Sequence, residues 1–397
     1  MSKEYILVTV SGPDKTGITG KLMSIVAKSG AVLADMGQAV THGLLSLSFL
    51  LEIDSDRKDY PVIKDLLFET KKLGLALDFN ILDNRESDTR MVDVSERFIL
   101  HCVASEFLTS GFVKDVAQIL AEFGINIHRI DNVSPTHFKS LELTTTVPAS
   151  VDLNTVKKEL LKISNTHQMD LVFLKDNVFR RNKRLIVFDM DSTLIQAEVI
   201  DELATVYQVG DKIKAITAAA MNGKMDFDQA LTERVAMLKG LEESTMRNIL
   251  ENLPMTNGAE EFIKTVKSLG YKTALISGGF SYFANAFKEK LGLDYAFANE
   301  LEIVNGKLTG KIQGTIINAN QKAIILKLLA QQMGIHLEQV VAIGDGANDL
   351  PMLAAAGLGI AYHAKEVVKE RARHHMGHGP MTTILYFLGI PPTTSSS

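Results

Sequence analysis

Two aspartates, Asp189 and Asp191, have the position and spacing of a catalytic acid pair. They follow a short apolar run, LIVF at residues 185–188, which is typical of a buried strand. Residues two apart in extended chain project to the same side, so both carboxylates should emerge at the carboxyl edge of a parallel sheet, where such folds bind ligands. One ionised carboxylate can attack phosphorus, while the other protonates a leaving alkoxide and then activates water. The plain alternative is a pair of solvated loop aspartates.

Two further groups could bind a phosphate. Ser277 stands in the run ISGG at the end of another apolar strand, where a hydroxyl and exposed backbone N–H groups suit a phosphate oxygen. Lys322 opens a helical run, from which an ammonium group could clamp the same phosphate. Taken alone, the Ser-Gly-Gly run is a common turn, and Lys322 is a common solvated residue of a helix face.

The loop GDGANDL at residues 344–350 follows a third apolar strand and carries Asp345 and Asp349. Carboxylates on a glycine-rich loop make an oxygen-ligand site for a hard cation, and Mg²⁺ is the natural choice because it accepts a few carboxylates together with phosphate and water. Structural glycine-aspartate turns are the alternative.

The elements that must position these groups alternate between short apolar strands and helices. Such strands with helical crossovers predict a parallel, doubly wound α/β sheet of Rossmann-like form in residues 183–390. Between the first two strands, residues 198–255 have helical periodicity and no strand pattern, which indicates a helical cap inserted over the site. The predicted strands are LIVFD (185–189), KTALIS (272–277), VVAIGD (340–345) and LGIAY (358–362).

The first third of the chain carries a duplicated β-α-β-β-α-β pattern. One copy occupies residues 1–84 and the other residues 94–178, and in each the first helix stops at a glycine, Gly30 or Gly124. This order predicts two ferredoxin-like domains. The polar, charged stretch at residues 83–96 between them reads as a linker.

Composition excludes several classes of function. The chain has 397 residues, a net charge of −5 and no tryptophan, which disfavours a nucleic-acid partner. No stretch approaches the ~20 apolar residues of a membrane span. The single cysteine, Cys102, allows neither an intrachain disulfide nor a cysteine-built zinc site, so a soluble, cytoplasmic protein is expected.

Together these motifs resemble the haloacid dehalogenase superfamily of aspartate-nucleophile phosphatases. Asp-x-Asp-x-Thr, a strand-end serine, a lysine and Gly-Asp-x-x-x-Asp occur in the right order. The segments DMDSTLIQAEVIDELA, MNGKMDF, LTERV, ISGGF and GDGANDLPML are similar, more narrowly, to the phosphoserine phosphatases. The resemblance implies hydrolysis of O-phospho-L-serine through an aspartyl-phosphate, the last step of serine biosynthesis.

The resemblance also implies a role for each matching residue. Asp189 would be the nucleophile and Asp191 the general acid/base, while Mg²⁺ would be held by Asp189, the Asp191 carbonyl and Asp345. Asp349 would orient the phosphate-binding lysine. The implied substrate contacts are Ser277, Gly278, Lys322 and Asn348 at the phosphate, Glu198 at the amine, Arg234 at the carboxylate, and Met221 and Phe227 in the cap.

The duplicated N-terminal domains resemble ACT domains, which sense amino acids. The likeness rests on the β-α-β-β-α-β order and on the turn Gly12 to Gly17 before the first helix; the second copy has Ala104 to Phe107 at that place. It implies a homodimer formed through these domains and allosteric inhibition by serine, with Gly12 to Gly17 as the effector contact.

Several alternatives stay open at this point. The motifs do not separate water from an alcohol acceptor, so a phosphotransferase acting on a hydroxyl such as that of homoserine is the second hypothesis. An amino-acid-responsive regulator with a silent phosphatase half predicts the loss of a catalytic group, and none is missing. The three histidines of residues 372–381 are expected in a solvated turn, with a metal tract as the alternative, and His101 is expected to be a packed or half-exposed sheet residue.

Overall fold

The computed structural model describes residues 3–54, 61–82, 95–134, 138–221 and 225–390. The chain divides into two compact units, Met1–Val94 and Ser95–Ser397. Most of the predicted linker, residues 83–94, lies outside the described residues. None of the described helices has both the length and the apolar character that a membrane crossing requires.

The first unit is an antiparallel sheet of order β2-β3-β1-β4 covered by two helices. Its core contains Ile6, Leu22, Phe49 and Leu66, which alternate inward on the strands or lie on one helix face. The strand β1 continues through Gly12 and Pro13, where the sequence predicts a turn. The elements are β1 (Lys3–Pro13), α1 (Ile18–Ser29), β2 (Val32–Thr41), β3 (Leu44–Asp54), α2 (Pro61–Leu73) and β4 (Ala76–Leu82).

The second unit begins with another sheet of the same topology, of order β6-β7-β5-β8. Thr109 and Asp152 begin its two helices by accepting hydrogen bonds from backbone N–H groups of the first turn. The duplicated β-α-β-β-α-β prediction is confirmed. The elements are β5 (Ser95–Ala104), α3 (Ser110–Glu122), β6 (Asn126–Asn132), β7 (Ser140–Pro148), α4 (Leu153–His167) and β8 (Met169–Lys175).

A seven-stranded sheet follows in the same unit, of order β12-β11-β10-β9-β13-β14-β15. All its pairings are parallel except that of β11 with β12, an antiparallel hairpin that the sequence analysis did not anticipate. The strands are β9 (Leu185–Phe188), β10 (Lys272–Phe280), β11 (Tyr295–Val304), β12 (Lys307–Gln313), β13 (Val340–Gly344), β14 (Leu358–Tyr362) and β15 (His374–Met376).

The central strand β9 explains why its sequence is continuously apolar. Ile186 and Phe188 pack into a core on one face of the sheet, while Leu185 and Val187 pack into a second core on the other. Both faces are therefore covered by helices, as the doubly wound fold requires. On these faces lie α9 (Ala259–Ser268), α10 (Ser281–Leu291), α11 (Ala319–Gln332), α12 (Leu350–Ala355), α13 (Glu366–Arg371) and α14 (Ile384–Phe387).

The first four of the five described helices between β9 and β10 form the cap, which agrees with the predicted helical insertion. Its inward face includes Leu203, Leu231, Val235 and Met246, which belong to the same core cluster as Phe188. The cap helices are α5 (Val199–Val206), α6 (Gly210–Met221), α7 (Phe227–Met237) and α8 (Glu243–Asn252).

The prediction of a solvated turn in residues 372–381 is wrong. His374 to Met376 form the parallel edge strand β15, which pairs with β14, and both histidines are buried. His375 Nε2 lies 3.1 Å from Ser164 Oγ, and the Gly377 N–H donates to Asp170 Oδ1 at 2.7 Å. The tail is buried because the second ferredoxin-like domain packs against it, a contact that has no local signature in the sequence.

Candidate active site

A buried ion triad lies at the carboxyl edge of the seven-stranded sheet. Lys322, in the first turn of α11, places its Nζ 2.8 Å from Asp189 Oδ1 and 2.7 Å from Asp349 Oδ1. Asp189 directly follows β9, and its Oδ1 also accepts a hydrogen bond from Met190 N at 2.7 Å. The second oxygen of Asp349 accepts from Gly346 N at 3.0 Å. The loops after β9 and β13, which are distant in sequence, therefore meet at one lysine of helix α11.

Asp191 and Asp345 lie beside this triad. Asp191 Oδ1 accepts a hydrogen bond of 3.0 Å from the backbone N–H of Val199, the first residue of α5. Asp345 Oδ1 accepts from the Thr193 hydroxyl at 3.0 Å. The predicted Asp-x-Asp-x-Thr run is thus tied both to the cap and to the loop after β13.

The site carries more negative charge than its lysine neutralises. Burial, followed by repulsion from Asp349, raises the pKa of Asp189 well above its usual value. Burial and then Glu198 raise the pKa of Asp191 to about 7, and burial and then Asp349 raise that of Asp345 to about 6. The Lys322 pKa is raised because the attraction of Asp189 and Asp349 outweighs its burial.

The loop that ends β10 is tightly packed beside Asp191. Ser277 is wholly buried, and its Oγ accepts from Gly279 N at 2.8 Å. A Cβ on Gly279 would lie 2.7 Å from Asp191 Oδ2 and 3.1 Å from Ser277 Oγ. Glycine is required here because Asp191 and Ser277 both crowd the Gly279 backbone. Asn348, in the turn Ala347–Asp349, is half-buried on the neighbouring loop.

Sequence reasoning missed Asn299 in β11, which holds this loop in place. Its Nδ2 donates to the Gly278 carbonyl at 2.8 Å, and its Oδ1 accepts from Ile317 N at 2.7 Å. Asn299 is wholly buried, so it links the loop after β10 to the segment that leads into α11 and Lys322. An asparagine directly after the short apolar run at residues 295–298 is the signal that could have found it.

The cap contributes the opposite wall. Phe227 approaches Gly278 so closely that a Cβ there would lie 3.3 Å from its ring. Burial lowers the pKa of the half-buried Arg234, while the carboxylates of Asp201, Glu198 and Asp191 raise it. Arg234 is therefore within electrostatic range of the catalytic edge.

Glu198, at the start of α5, is exposed and accepts a hydrogen bond from the Ser192 hydroxyl at 2.7 Å. Met221 ends α6, but its side chain lies outside the described residues. A second contact missed by sequence reasoning joins cap and core: Asn318 Nδ2 donates to the two Asp228 oxygens at 3.1 and 3.2 Å. The same Asn318 caps α11 by accepting from Gln321 N.

The donor set fits a hard divalent cation. Carboxylate oxygens of Asp189, Asp345 and Asp349 lie within 4.8 Å of one another. Asp189 and Asp345 are better placed to bind a metal than Asp349, because Lys322 and Gly346 already take both oxygens of the latter. An all-oxygen set with uncompensated negative charge is what Mg²⁺ prefers.

Comparison with protein families assigns the domains. The model of haloacid dehalogenase-like hydrolases matches residues 183–357, and ACT-domain models match residues 4–80 and 102–173. Fold and site thus define a haloacid dehalogenase-like hydrolase that carries two ACT domains.

Comparison with individual proteins identifies a family within this class of hydrolases. Phosphoserine phosphatase SerB2 of Mycobacterium tuberculosis is 36% identical over 98% of this chain and 94% of its own length. The phosphoserine phosphatase of Streptomyces coelicolor is 37% identical over 97% of this chain and 92% of its own. The crystal structure of a probable phosphoserine phosphatase from Vibrio cholerae has a TM-score of 0.59 and 36% identity, and covers 76% of this chain and 90% of that one. The chain therefore belongs to the phosphoserine phosphatase family, as its motifs indicated.

Proposed function

We propose that this protein hydrolyses O-phospho-L-serine to L-serine and phosphate, through a phosphoryl group carried on Asp189. The observation that supports this most directly is the buried triad, in which Lys322 bridges Asp189 and Asp349 at 2.8 and 2.7 Å. The lysine favours the ionised form of the Asp189 carboxylate, against the burial and the neighbouring Asp349 that raise its pKa. It also supplies the cation that an incoming phosphate would meet.

The reaction proceeds as two displacements. A carboxylate oxygen of Asp189 bonds to phosphorus as the bond from phosphorus to the serine oxygen breaks, and Asp191 gives its proton to that oxygen. Asp191 then takes a proton from water, whose oxygen attacks the phosphorus of the aspartyl-phosphate. Inorganic phosphate leaves, and the Asp189 carboxylate is restored.

The remaining residues bind the three charged groups of phosphoserine. Ser277, the Gly278 N–H, Lys322 and Asn348 would take the phosphate oxygens. Glu198 matches the ammonium group and Arg234 the carboxylate, because a guanidinium can grip a carboxylate with two parallel hydrogen bonds. Phe227 and Met221 would cover the substrate from the cap and limit access of water.

Asp189, the Asp191 backbone carbonyl and Asp345 would hold Mg²⁺. The ion would neutralise charge on the transferring phosphoryl group. This donor set accounts for the excess of carboxylates at the sheet edge.

A substrate panel tests the proposal. Phosphate release is measured with phosphoserine, phosphothreonine, sugar phosphates and p-nitrophenyl phosphate, each with Mg²⁺ and with EDTA. Phosphoserine should be preferred, and EDTA should abolish turnover. If a sugar phosphate is preferred, the assignment of phosphoserine as the substrate is wrong. If turnover resists EDTA, the enzyme does not depend on Mg²⁺. A phosphorylated product formed when homoserine is added would instead indicate a phosphotransferase.

The nucleophile is tested by Asp189→Asn. We expect turnover to fall by at least about 10⁴-fold, and acid-quenched protein to lose the phosphoryl label that wild type acquires from labelled substrate. The Tm should not fall, because a repelled buried carboxylate is removed. Retained labelling in this variant would place the phosphoryl group on another residue.

We further propose that the ACT domains form a homodimer and bind serine as an inhibitor, with residues 12–17 as the effector contact. The support is the edge strand β2, exposed along its whole length, with large apolar side chains at Val32, Leu33 and Val40. Such an edge pairs readily with a second strand.

Sedimentation of the full chain, with and without serine, tests this arrangement. Wild type should sediment as a dimer, and Val40→Lys should shift it towards monomer and weaken inhibition by serine. Val304→Lys, at an exposed valine of the catalytic domain, is the matched control. A wild-type monomer that ignores serine would refute the proposal.

A further inference from the structure

A basic pocket lies away from the catalytic edge, between the second ACT domain and the end of the catalytic domain. Its volume is about 310 Å³, and it is walled by helix α4 on one side and by residues 369–375 on the other. Five cationic side chains line it against a single carboxylate. They are Lys157, Lys158, Lys369, Arg371 and Arg373, and the carboxylate is Glu370.

Among the described residues, four of the five cations have no ion-pair partner, and Lys369 is the exception. Lys369 lies 3.6 Å from Glu366, but in the part of the chain that the structure describes no ion pair joins Lys157, Arg371 or Arg373 to a carboxylate. The concentration of positive charge contrasts with the net charge of −5 for the whole chain.

The cations also repel one another within the folded protein. Burial and the neighbouring Arg373 both lower the pKa of Lys157. Burial, Lys157 and Arg373 lower the pKa of His374, which is buried in β15. Lys157 is half-buried and has no ion-pair partner among the described residues, whereas Lys158, Arg371 and Arg373 are exposed around it. Native proteins rarely leave a half-buried cation without a counter-charge. An anion in the pocket would supply that counter-charge.

We propose that this pocket binds a small polyanion bearing phosphate or carboxylate groups, which joins the second ACT domain to the catalytic domain. The volume lies at the lower end of the range for small-molecule pockets, so a metabolite fits better than a macromolecule. Leu160, Leu161 and Phe173 give it an apolar floor, and charged groups stand on both walls. A bound anion would therefore contact both domains at once.

The test uses the full chain in Mg²⁺-free, low-salt buffer, with pyrophosphate and citrate as separate probes for phosphate and carboxylate chemistry. Calorimetry should show binding to wild type, and a saturating probe should raise the Tm by about 2 to 4 °C. The double variant Lys157→Met/Arg373→Met should bind at least about tenfold more weakly. Pyrophosphate bound at the active site would remain in both proteins, so wild type should show one more site than the variant.

Lys327→Met is the matched control, because Lys327 is exposed on α11 and does not line the pocket. Without anion, the double variant should be at least as stable as wild type, since repulsion is relieved. If it fails to fold, Lys157→Gln and Arg373→Gln are titrated singly, and each should weaken binding. Equal binding by wild type and these variants would overturn the proposal. A Tm rise that NaCl reproduces at the same ionic strength would also overturn it.

Discussion

At the scale of single residues, the site is constrained by an excess of negative charge and by close packing. Four carboxylates at the sheet edge, Asp189, Asp191, Asp345 and Asp349, share one lysine, and the raised pKa values of Asp191 and Asp345 follow from their burial. Space is equally limited, because Asp191 and Ser277 press against the backbone of Gly279. Both constraints yield testable expectations.

Gly279→Ala should impair catalysis through sterics alone. The new methyl group would lie 2.7 Å from Asp191 Oδ2 and 2.9 Å from Met190 Cε, so Asp191 must shift. A displacement approaching 1 Å costs about 10²-fold in kcat. Gly20→Ala is the control, because a Cβ at Gly20 meets nothing within 4 Å; in helix α1 it should stabilise by about 1 kcal/mol. Similar turnover in the two variants would contradict the packing argument.

Arg234→Ala should separate substrate recognition from chemistry. Loss of a charge-assisted carboxylate contact costs about 1.5 to 3 kcal/mol, so kcat/KM for phosphoserine should fall about 10- to 100-fold. p-Nitrophenyl phosphate has no carboxylate, and its kcat/KM should change less than about threefold. Equal losses on both substrates would remove Arg234 from recognition.

At the scale of elements, the loops of the candidate site are held in place by two asparagine side chains. Asn299 in β11 ties the Gly278 carbonyl to Ile317 N, and Asn318 ties α11 to Asp228 of the cap. The loop after β10, the segment before α11 and the cap therefore form one hydrogen-bonded assembly around Lys322.

Asn299→Ala should loosen this assembly. It leaves two half-buried backbone groups without partners, which should destabilise the protein by about 1 to 2 kcal/mol. Because Gly278 and Lys322 lose their common support, kcat should fall more than KM rises. Chemical denaturation and steady-state kinetics measure both effects, with Asn248→Ala on the exposed face of α8 as the control. An undisturbed kcat would show that the loop does not depend on Asn299.

At the scale of the whole molecule, the second ACT domain is packed onto the catalytic domain through a shared apolar cluster and through polar groups. Arg180 donates two hydrogen bonds to Glu142, at 3.1 and 3.2 Å, beside the wholly buried His101, whose ring faces Phe387 edge-on. Burial, opposed by Glu142, lowers the pKa of His101 to about 4. His101 is therefore a packed sheet residue, as its sequence context predicted.

This junction should make stability depend on pH. The His101 pKa is lower in the folded state than its usual 6.5, so the unfolded chain binds the proton more readily. The contribution of His101 is full above about pH 6.5 and is lost as the pH falls towards 4, by up to about 3 kcal/mol. Urea unfolding of wild type and His101→Gln from pH 4.5 to 7.5 should show a steeper decline in wild type. His128→Gln, at an exposed histidine of the same sheet, should match wild type; equal slopes for His101→Gln would contradict this assignment.

The sequence by itself determined the class of fold and the order of the catalytic motifs. Strands such as β9 are short and apolar on both faces, and the acidic pairs follow them directly, so local pattern was enough to place Asp189 and Asp345 at one sheet edge. The ends of helices at residues such as Gly30, whose φ is 74°, could likewise be predicted from the local sequence.

Only the tertiary structure decided the roles of Asn299, Asp228 and the tail histidines. Each acts through a partner distant in the chain: Asn299 through Gly278 and Ile317, Asp228 through Asn318, and His375 through Ser164. A strand as short as His374–Met376 has too little periodicity to be read from sequence, and its burial depends on a neighbouring domain. The basic pocket likewise arises because α4 and residues 369–375 meet across that junction, where like charges far apart in sequence become neighbours in space.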